Sequence, residues 1–278
     1  VALMVPGLLF LLCFLVVPVG RLLVASFQNQ TAYMQAADGY TLSRYVTLLT
    51  TPTYLRDIGV TIGVALLTTV ITLLVAYPAA NLLATCRNKV LRSVLYVVLV
   101  SPLLTSVVVR SFAWVVLLSN NGLVNQVLQF FGLIDQPVTM LWNMGAVIVA
   151  YVQVLLPFAV MPLVTSLSEV SSGVRRASAC LGAGSVRTFF KVVLPLTVPG
   201  AVNGALVVFS LTAGSYITPL LIGGGMQPLL PLDIYQQAMQ VSDLRMAAAM
   251  AVLLLVIILV IVVPVEIALK RWEERVYG

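Results

Sequence analysis

The chain has no histidine and little charge: of its 278 residues 9% are charged and 61% are apolar. Soluble domains carry about 25% charged and about 45–50% apolar residues. A water-facing surface cannot be assembled from so few charges, so most of the exterior must face lipid. Without histidine the commonest general base and metal ligand is missing. Cysteine is scarce too. Cys13, Cys86 and Cys180 lie far apart with no CxxC pair, so they are expected to be free structural thiols rather than a disulfide framework or a zinc site. There is no GxxxxGK[ST] loop, and none of Lys89, Lys191 and Lys270 follows a glycine. The chain therefore cannot cradle nucleotide phosphates itself. No Asp or Glu falls in the middle of an apolar run, and Glu266 lies near the end of the last one. Ion-coupled transport relies on such intramembrane groups, so its case is weak. An enzyme is not expected. The net charge of +6 is spread between apolar runs, which argues against a nucleic-acid partner.

What the sequence does contain is long apolar runs. About 20 mostly apolar residues cross a bilayer as a helix. Six runs qualify: about 3–25, 58–84, 91–118, 139–165, 196–222 and 246–269. The chain opens at Val1 without a methionine, so a preceding segment is expected to have been trimmed. The first run is too long for a signal-peptide core and is expected to be a retained helix. Basic residues set the orientation. Arg87, Lys89, Arg92, Arg175, Arg176, Arg187, Lys191, Lys270, Arg271 and Arg275 fall on one side, against Arg44, Arg56 and Arg245 on the other. Both termini are expected to be cytoplasmic. The fold class is thus an all-α membrane protein of six transmembrane helices, a single domain over 1–278.

Pro78, Pro102, Pro157, Pro162 and Pro219 interrupt the spans, freeing backbone carbonyls that neighbours must satisfy. Gly59/Gly63 and Gly200/Gly204 form GxxxG pairs suited to close helix packing. Val124, Val127, Leu128 and Phe131 share one helical face, as in a short helix at the membrane interface. Asn143, Tyr151, Gln153 and Asn203 are further polar groups within spans, where interhelical hydrogen bonds explain them at least as well as a solute path does.

Arg110 stands 18 residues beyond Arg92, about 27 Å along a straight helix, near the far leaflet boundary. It either snorkels outward or faces the bundle to brace a gate or meet solute. Trp114, four residues on, shares its face and suits an interfacial anchor. Tyr216 and Thr218 sit beside Ser215, Pro219 and Gly223–Gly225 at the irregular end of the fifth span. They are gate or solute-path candidates, since irregular backbone at membrane depth is tolerated where it lines a cavity. Asp233 and Asp243, in the last outer loop, could assist solute entry.

The loop from Ser168 to Pro195 is the most informative segment. Ser171 or Ser172 can cap a helix to Leu181, Gly182 can end it, and Ser185 can cap a second helix through Leu194. Phe189 and Phe190 either pack beneath the bundle or belong to a partner surface. Here the chain resembles the permeases of ABC importers. Their loop pattern is EAA, three residues, Gly, nine residues, an aliphatic, any residue, Leu-Pro. Arg176-Ala177-Ser178 stands at the EAA position, Gly182 follows after three residues, and nine more lead to Val192, Val193, Leu194 and Pro195. Arg176 replaces the glutamate and Ser178 the second alanine. The segments SPLLTSVVVRSFAWVVLLSNNGLVN and LTAGSYITPLLIGGG are similar to the spermidine/putrescine branch of the type I importers. Relatives there also carry iron, thiamine, opines and aminophosphonates.

The resemblance implies a type I permease in a bacterial inner membrane. It implies an ABC ATPase dimer docked on Arg176, Ala177, Ser178, Gly182, Ala183, Phe189 and Pro195. It also implies a second, paralogous permease subunit and an external solute-binding protein. ATP and magnesium would sit on the partner ATPase, with no cofactor in this chain. A secondary transporter and a non-transport membrane scaffold are the rival readings.

Overall fold

In the computed structural model residues 5–30 and 36–277 are described. Leu3 and Met4, at the start of the first expected span, lie outside them. The elements run α1 (Val5–Phe27), β1 (Gln28–Gln30), β2 (Ala36–Tyr40), α2 (Ser43–Thr50), α3 (Pro52–Thr85), α4 (Lys89–Val100), α5 (Val107–Leu118), α6 (Leu123–Phe130) and α7 (Met144–Glu169). They continue α8 (Ser172–Cys180), α9 (Ser185–Thr188), α10 (Leu194–Leu196), α11 (Val198–Gly214), α12 (Ile217–Leu221), α13 (Leu230–Met239) and α14 (Leu244–Tyr277). The all-α expectation needs one amendment: β1 and β2 pair as a small antiparallel hairpin.

Among the described residues four helical stretches are long and apolar enough to cross a membrane: Pro52–Thr85, Val107–Phe130, Met144–Glu169 and Leu244–Arg275. A fifth crossing is available if Ser185–Leu196 and Val198–Gly214, bent by 67°, count as one. Leu104, Leu74 and Phe14 are exposed large apolar groups on this surface, as a lipid-facing exterior requires.

Three expected spans differ in detail. The 91–118 run is not one helix. It breaks into α4, a 3-10 turn at Ser101–Leu104 and α5. Pro102 brings no N–H to the ladder, and Ser106 caps α5 by accepting from the Val108 N–H at 3.3 Å. The 139–165 run begins later, because Asn143 caps α7 through the Ala146 N–H at 2.9 Å. Asn143 is therefore a cap, not an interhelical bond within a span. The 196–222 run bends at Thr197 and breaks again at Ser215.

The chain divides into two compact units. The first comprises residues 1–61 and 228–260. Its core gathers Leu48, Leu230, Ala249 and Met250, with Tyr45 and Ile58 against it. Arg44 is buried and donates to the Gln28 carbonyl at 2.7 Å, pinning the β hairpin to α2. Thr61 Oγ1 accepts from the Leu230 N–H at 2.9 Å. α3 starts at Pro52, earlier than the hydropathy suggested, which brings Asp57 into the helix and buries it.

The second unit comprises residues 62–227 and 261–278. α7 and α11 are its centre. A Cβ on Gly200 would sit 2.5 Å from Ser166 Oγ and 2.6 Å from the Pro162 carbonyl oxygen. One on Gly204 would lie 3.1 Å from Ala159 Cα. This pair of glycines sets the close approach of the two helices, as small residues do in membranes. A Cβ on Gly59 or Gly63 would meet nothing within 4 Å, so that GxxxG pair makes no close helix contact among the described residues. α6 forms over the expected amphipathic segment. Asn125 fixes it, donating to the Ser119 and Val138 carbonyls and accepting from the Val138 N–H.

Candidate functional site: a hairpin and a cavity at the two ends of α11

The segment 168–195 folds as a helical hairpin. Ser171 Oγ accepts from the Val174 N–H at 3.3 Å and opens α8. Gly182 closes it with φ +77°, a left-handed position that a side chain disfavours. The Ala183 N–H reaches back to the Ser178 carbonyl at 3.1 Å, the six-to-one closure of a glycine-ended helix. The return arm departs from expectation. Gly184, not Ser185, precedes α9, with no side-chain cap, and the helix widens to a π turn over Phe189–Val193. The arms are braced by the Ser178 and Thr188 hydroxyls at 2.9 Å.

The two phenylalanines part company. Phe189 meets Tyr77 of α3 edge-on, with centroids 5.7 Å apart. Phe190 remains exposed. Arg176 and Ala177 are exposed, Ser178 is buried, Ala183 is half-buried and Pro195 is exposed. At the foot of the hairpin Thr197 Oγ1 donates to the Val193 carbonyl at 3.0 Å. Its single proton is thereby used, so the Tyr77 hydroxyl donates to Thr197 across 2.6 Å. Thr197 is fully buried and marks the 67° bend into α11. Sequence reasoning overlooked Tyr77 and Thr197. The sequence offered only a threonine two residues before Pro199; its burial and its pairing with Tyr77 appear in the fold alone.

α11 spans 17 residues, about 25 Å at 1.5 Å per residue. Its other end breaks at Ser215, where the Tyr151 hydroxyl donates to the freed Ser215 carbonyl at 3.0 Å. Beside this break lies a cavity of about 540 Å³ lined by Arg110, Tyr151, Phe158, Ser210, Tyr216 and Thr218 among others. Three candidates, Arg110, Tyr216 and Thr218, thus come together. Trp114 does not join them, and its indole N–H donates to Gln153 Oε1 of α7 at 3.2 Å. Tyr151 and Gln153 make the interhelical bonds expected of them, whereas Asn203 is exposed.

Arg110 turns toward the Pro102 break. Its guanidinium lines the cavity and donates to the Pro102 carbonyl at the break in the third run. The straight-helix distance from Arg92 fails for the same reason. Among the described residues no carboxylate lines the cavity.

In the first unit Asp233 of α13 faces Asp57. Burial raises its pKa to about 7, with the Asp57 charge and a hydrogen bond to Asp57 adding to the effect. A carboxylate facing another carboxylate is disfavoured, which adds to the burial of Asp233. Asp57 was missed because the hydropathy window opened at Ile58.

Residues 2–276 match the family of the binding-protein-dependent transport system inner membrane component. The chain belongs to that family. It is a multi-pass inner-membrane permease subunit of an ABC importer and carries no catalytic site for ATP hydrolysis. Among its relatives is the spermidine/putrescine transport system permease protein PotB of Escherichia coli, 33% identical over 213 residues, 77% of each chain. Another is the molybdenum transport system permease protein ModB of Azotobacter vinelandii, 33% identical over 68% of this chain and 80% of that one. The fold is that of a bacterial alginate ABC transporter, solved in complex with an alginate pentasaccharide-bound periplasmic protein. There the TM-score is 0.74 at 19% identity, over 95% of this chain and 91% of the other. Family membership sets aside the secondary-transporter and scaffold readings.

Proposed function

We propose that this permease forms half of the solute path of an ATP-driven polyamine importer, with the 168–195 hairpin as the seat of a separate ATPase. The carrying observation is the hairpin's attachment. Its turn is exposed, while its foot is tied through Phe189, Thr197 and Tyr77 to the helix α3 and through the bend to α11. A push on the turn therefore moves α11, whose far end borders the cavity. ATP and magnesium belong to the partner ATPase dimer. Arg176, Ala177, Ser178, Gly182 and Ala183 present or shape the seat, and Phe189 and Pro195 join it to the bundle.

In this reading the chain is one permease domain of six transmembrane helices in lipid, with both termini cytoplasmic and the hairpin on that side. It pairs with a second, paralogous permease and receives solute from an external binding protein. Arg110, Tyr216 and Thr218 line the path, and Trp114 braces its gate through Gln153. ATP binding drives a two-state shift between inward- and outward-facing forms by differential affinity.

The polyamine assignment is supported by the likeness to PotB. With no carboxylate in the cavity, selection of a polycation falls to the external binding protein, and the cavity contributes hydroxyls and tyrosine faces beside the Arg110 guanidinium. The test is uptake of labelled spermidine and putrescine by vesicles holding the full complex. ATP-dependent uptake that requires the binding protein is expected. Uptake that persists without the ATPase, or a binding protein that ignores both polyamines, would refute the respective half of the reading.

A further inference from the structure

We propose that the ATPase socket that receives this hairpin is an apolar slot with an acidic rim. The inference rests on the docking reading above and adds the chemistry of the partner surface. Between Ser171 and Pro195 the chain has four basic residues, Arg175, Arg176, Arg187 and Lys191, and no Asp or Glu. Arg176, Arg187 and Lys191 are exposed. Among them stand apolar groups that water does not favour: Leu181 is 88% exposed at the turn, Val186 72% and Phe190 60%. The described residues of the hairpin thus offer an apolar point flanked by cations on both arms. A complementary surface places apolar side chains around Leu181 and Phe190 and carboxylates opposite the arginines.

An anionic membrane surface would also attract four basic residues. Lipid attraction needs only charge near the surface and no fixed shape. This hairpin has a fixed shape. Gly182 at φ +77° and the Ser178–Thr188 hydroxyl contact hold the arms together, and Phe189 and Thr197 anchor them to the bundle. A preformed, anchored projection fits a protein socket. The charge also has a consequence for partner choice. A socket with basic groups opposite Arg176 would repel this permease, so the ATPase is matched to it by sign.

The experiment measures ATPase retention by the purified complex between about 50 and about 500 mM salt, a range over which exposed charges become screened. Wild-type retention should weaken as salt rises. The double variant Arg176→Glu/Arg187→Glu should lose affinity on the order of tenfold at low salt, while Arg176→Lys/Arg187→Lys should stay within about twofold. An Asp or Glu to Lys exchange on the socket rim should restore the glutamate variant. Salt-independent wild-type retention, or an unchanged double variant, would overturn the acidic rim and leave docking standing. A wild-type complex that holds no ATPase at any salt would instead overturn docking. Charge dependence present in phosphatidylglycerol nanodiscs and absent in phosphatidylcholine ones would also overturn the proposal and assign the basic face to lipid.

Discussion

The two ends of α11 carry opposite kinds of chemistry. At the Thr197 end lies a hairpin whose Arg176, Arg187 and Lys191 are exposed, with no Asp or Glu between Ser171 and Pro195. At the Ser215 end lies a cavity whose one cation, Arg110, already serves the Pro102 carbonyl. Charge at the hairpin is carried on exposed side chains, whereas the guanidinium at the cavity gives one donor to a broken helix and keeps a buried Nε without a partner among the described residues. The difference teaches where specificity resides. On the function proposed above, partner choice rests on exposed charge, and the solute path is shaped mainly by hydroxyls, backbone dipoles and packing.

The strongest way to break this comparison is to separate the helices that join its two ends. Gly200→Leu would drive a side chain into Ser166 and the Pro162 carbonyl. Overpacking of this kind costs about 1–3 kcal/mol or more. Transport should be abolished and the folded yield reduced in size-exclusion profiles. Gly63 of α3, with nothing within 4 Å of its Cβ position and outside the cavity lining, is the control, and equal damage from Gly63→Leu would break the account.

Gly182→Asp acts at the hairpin alone. It imposes a left-handed residue with a side chain, costing about 1–2 kcal/mol, and adds a negative charge at the turn. Solute uptake should fall at least about tenfold, from that strain together with the misplaced charge, while the helical bundle stays intact. Normal uptake with normal ATPase retention would contradict a docking role for the turn.

Arg110 sharpens the other end. Arg110→Met removes one of three donors to the Pro102 carbonyl, which keeps the Thr105 hydroxyl and N–H, so the lost bond costs about 1 kcal/mol. Arg110→Gln keeps a donor and should recover most of the lost thermal stability and uptake. If glutamine and methionine behave alike, the arginine's charge matters and the cavity is not neutral in function.

The effect most remote from transport is in the first unit. The Asp233 pKa rises from 3.8 to about 7 in the fold, so the folded state holds a proton that the unfolded state releases. The stability this contributes is full below about pH 4 and is lost as pH rises toward 7. Melting temperature should fall across that window, and Asp233→Asn should flatten the slope. A slope of the opposite sign would mean that Asp233 ionises freely.

The hairpin was largely legible because its signals are local. The turn demands a positive φ that Gly182 supplies, and the spacing to Pro195 fixes the length of the return arm. Its internal detail was less so: Ser185 looked like a cap, yet the arm enters at Gly184 and widens into a π turn. The cavity end was harder. Arg110, Tyr216 and Thr218 could be named, but their meeting depends on breaks at Ser101–Ser106 and Ser215. Proline marks a possible break without deciding it. What settles it is a guanidinium reaching back eight residues to Pro102 and a tyrosine 64 residues away bonding Ser215. Asp57 was hidden for a related reason: hydropathy places no carboxyl group inside a span, and only the fold shows that α3 starts at Pro52 and buries it.

The central claim is that the hairpin turn seats the ATPase. Cys180 closes α8 and is exposed, whereas Cys13 and Cys86 lie elsewhere in the chain. In a Cys13→Ser/Cys86→Ser background, a short thiol-directed crosslinker on the assembled complex should join Cys180 to the ATPase subunit and stop ATP-driven uptake. A complex that transports fully while Cys180 captures no ATPase would contradict the account.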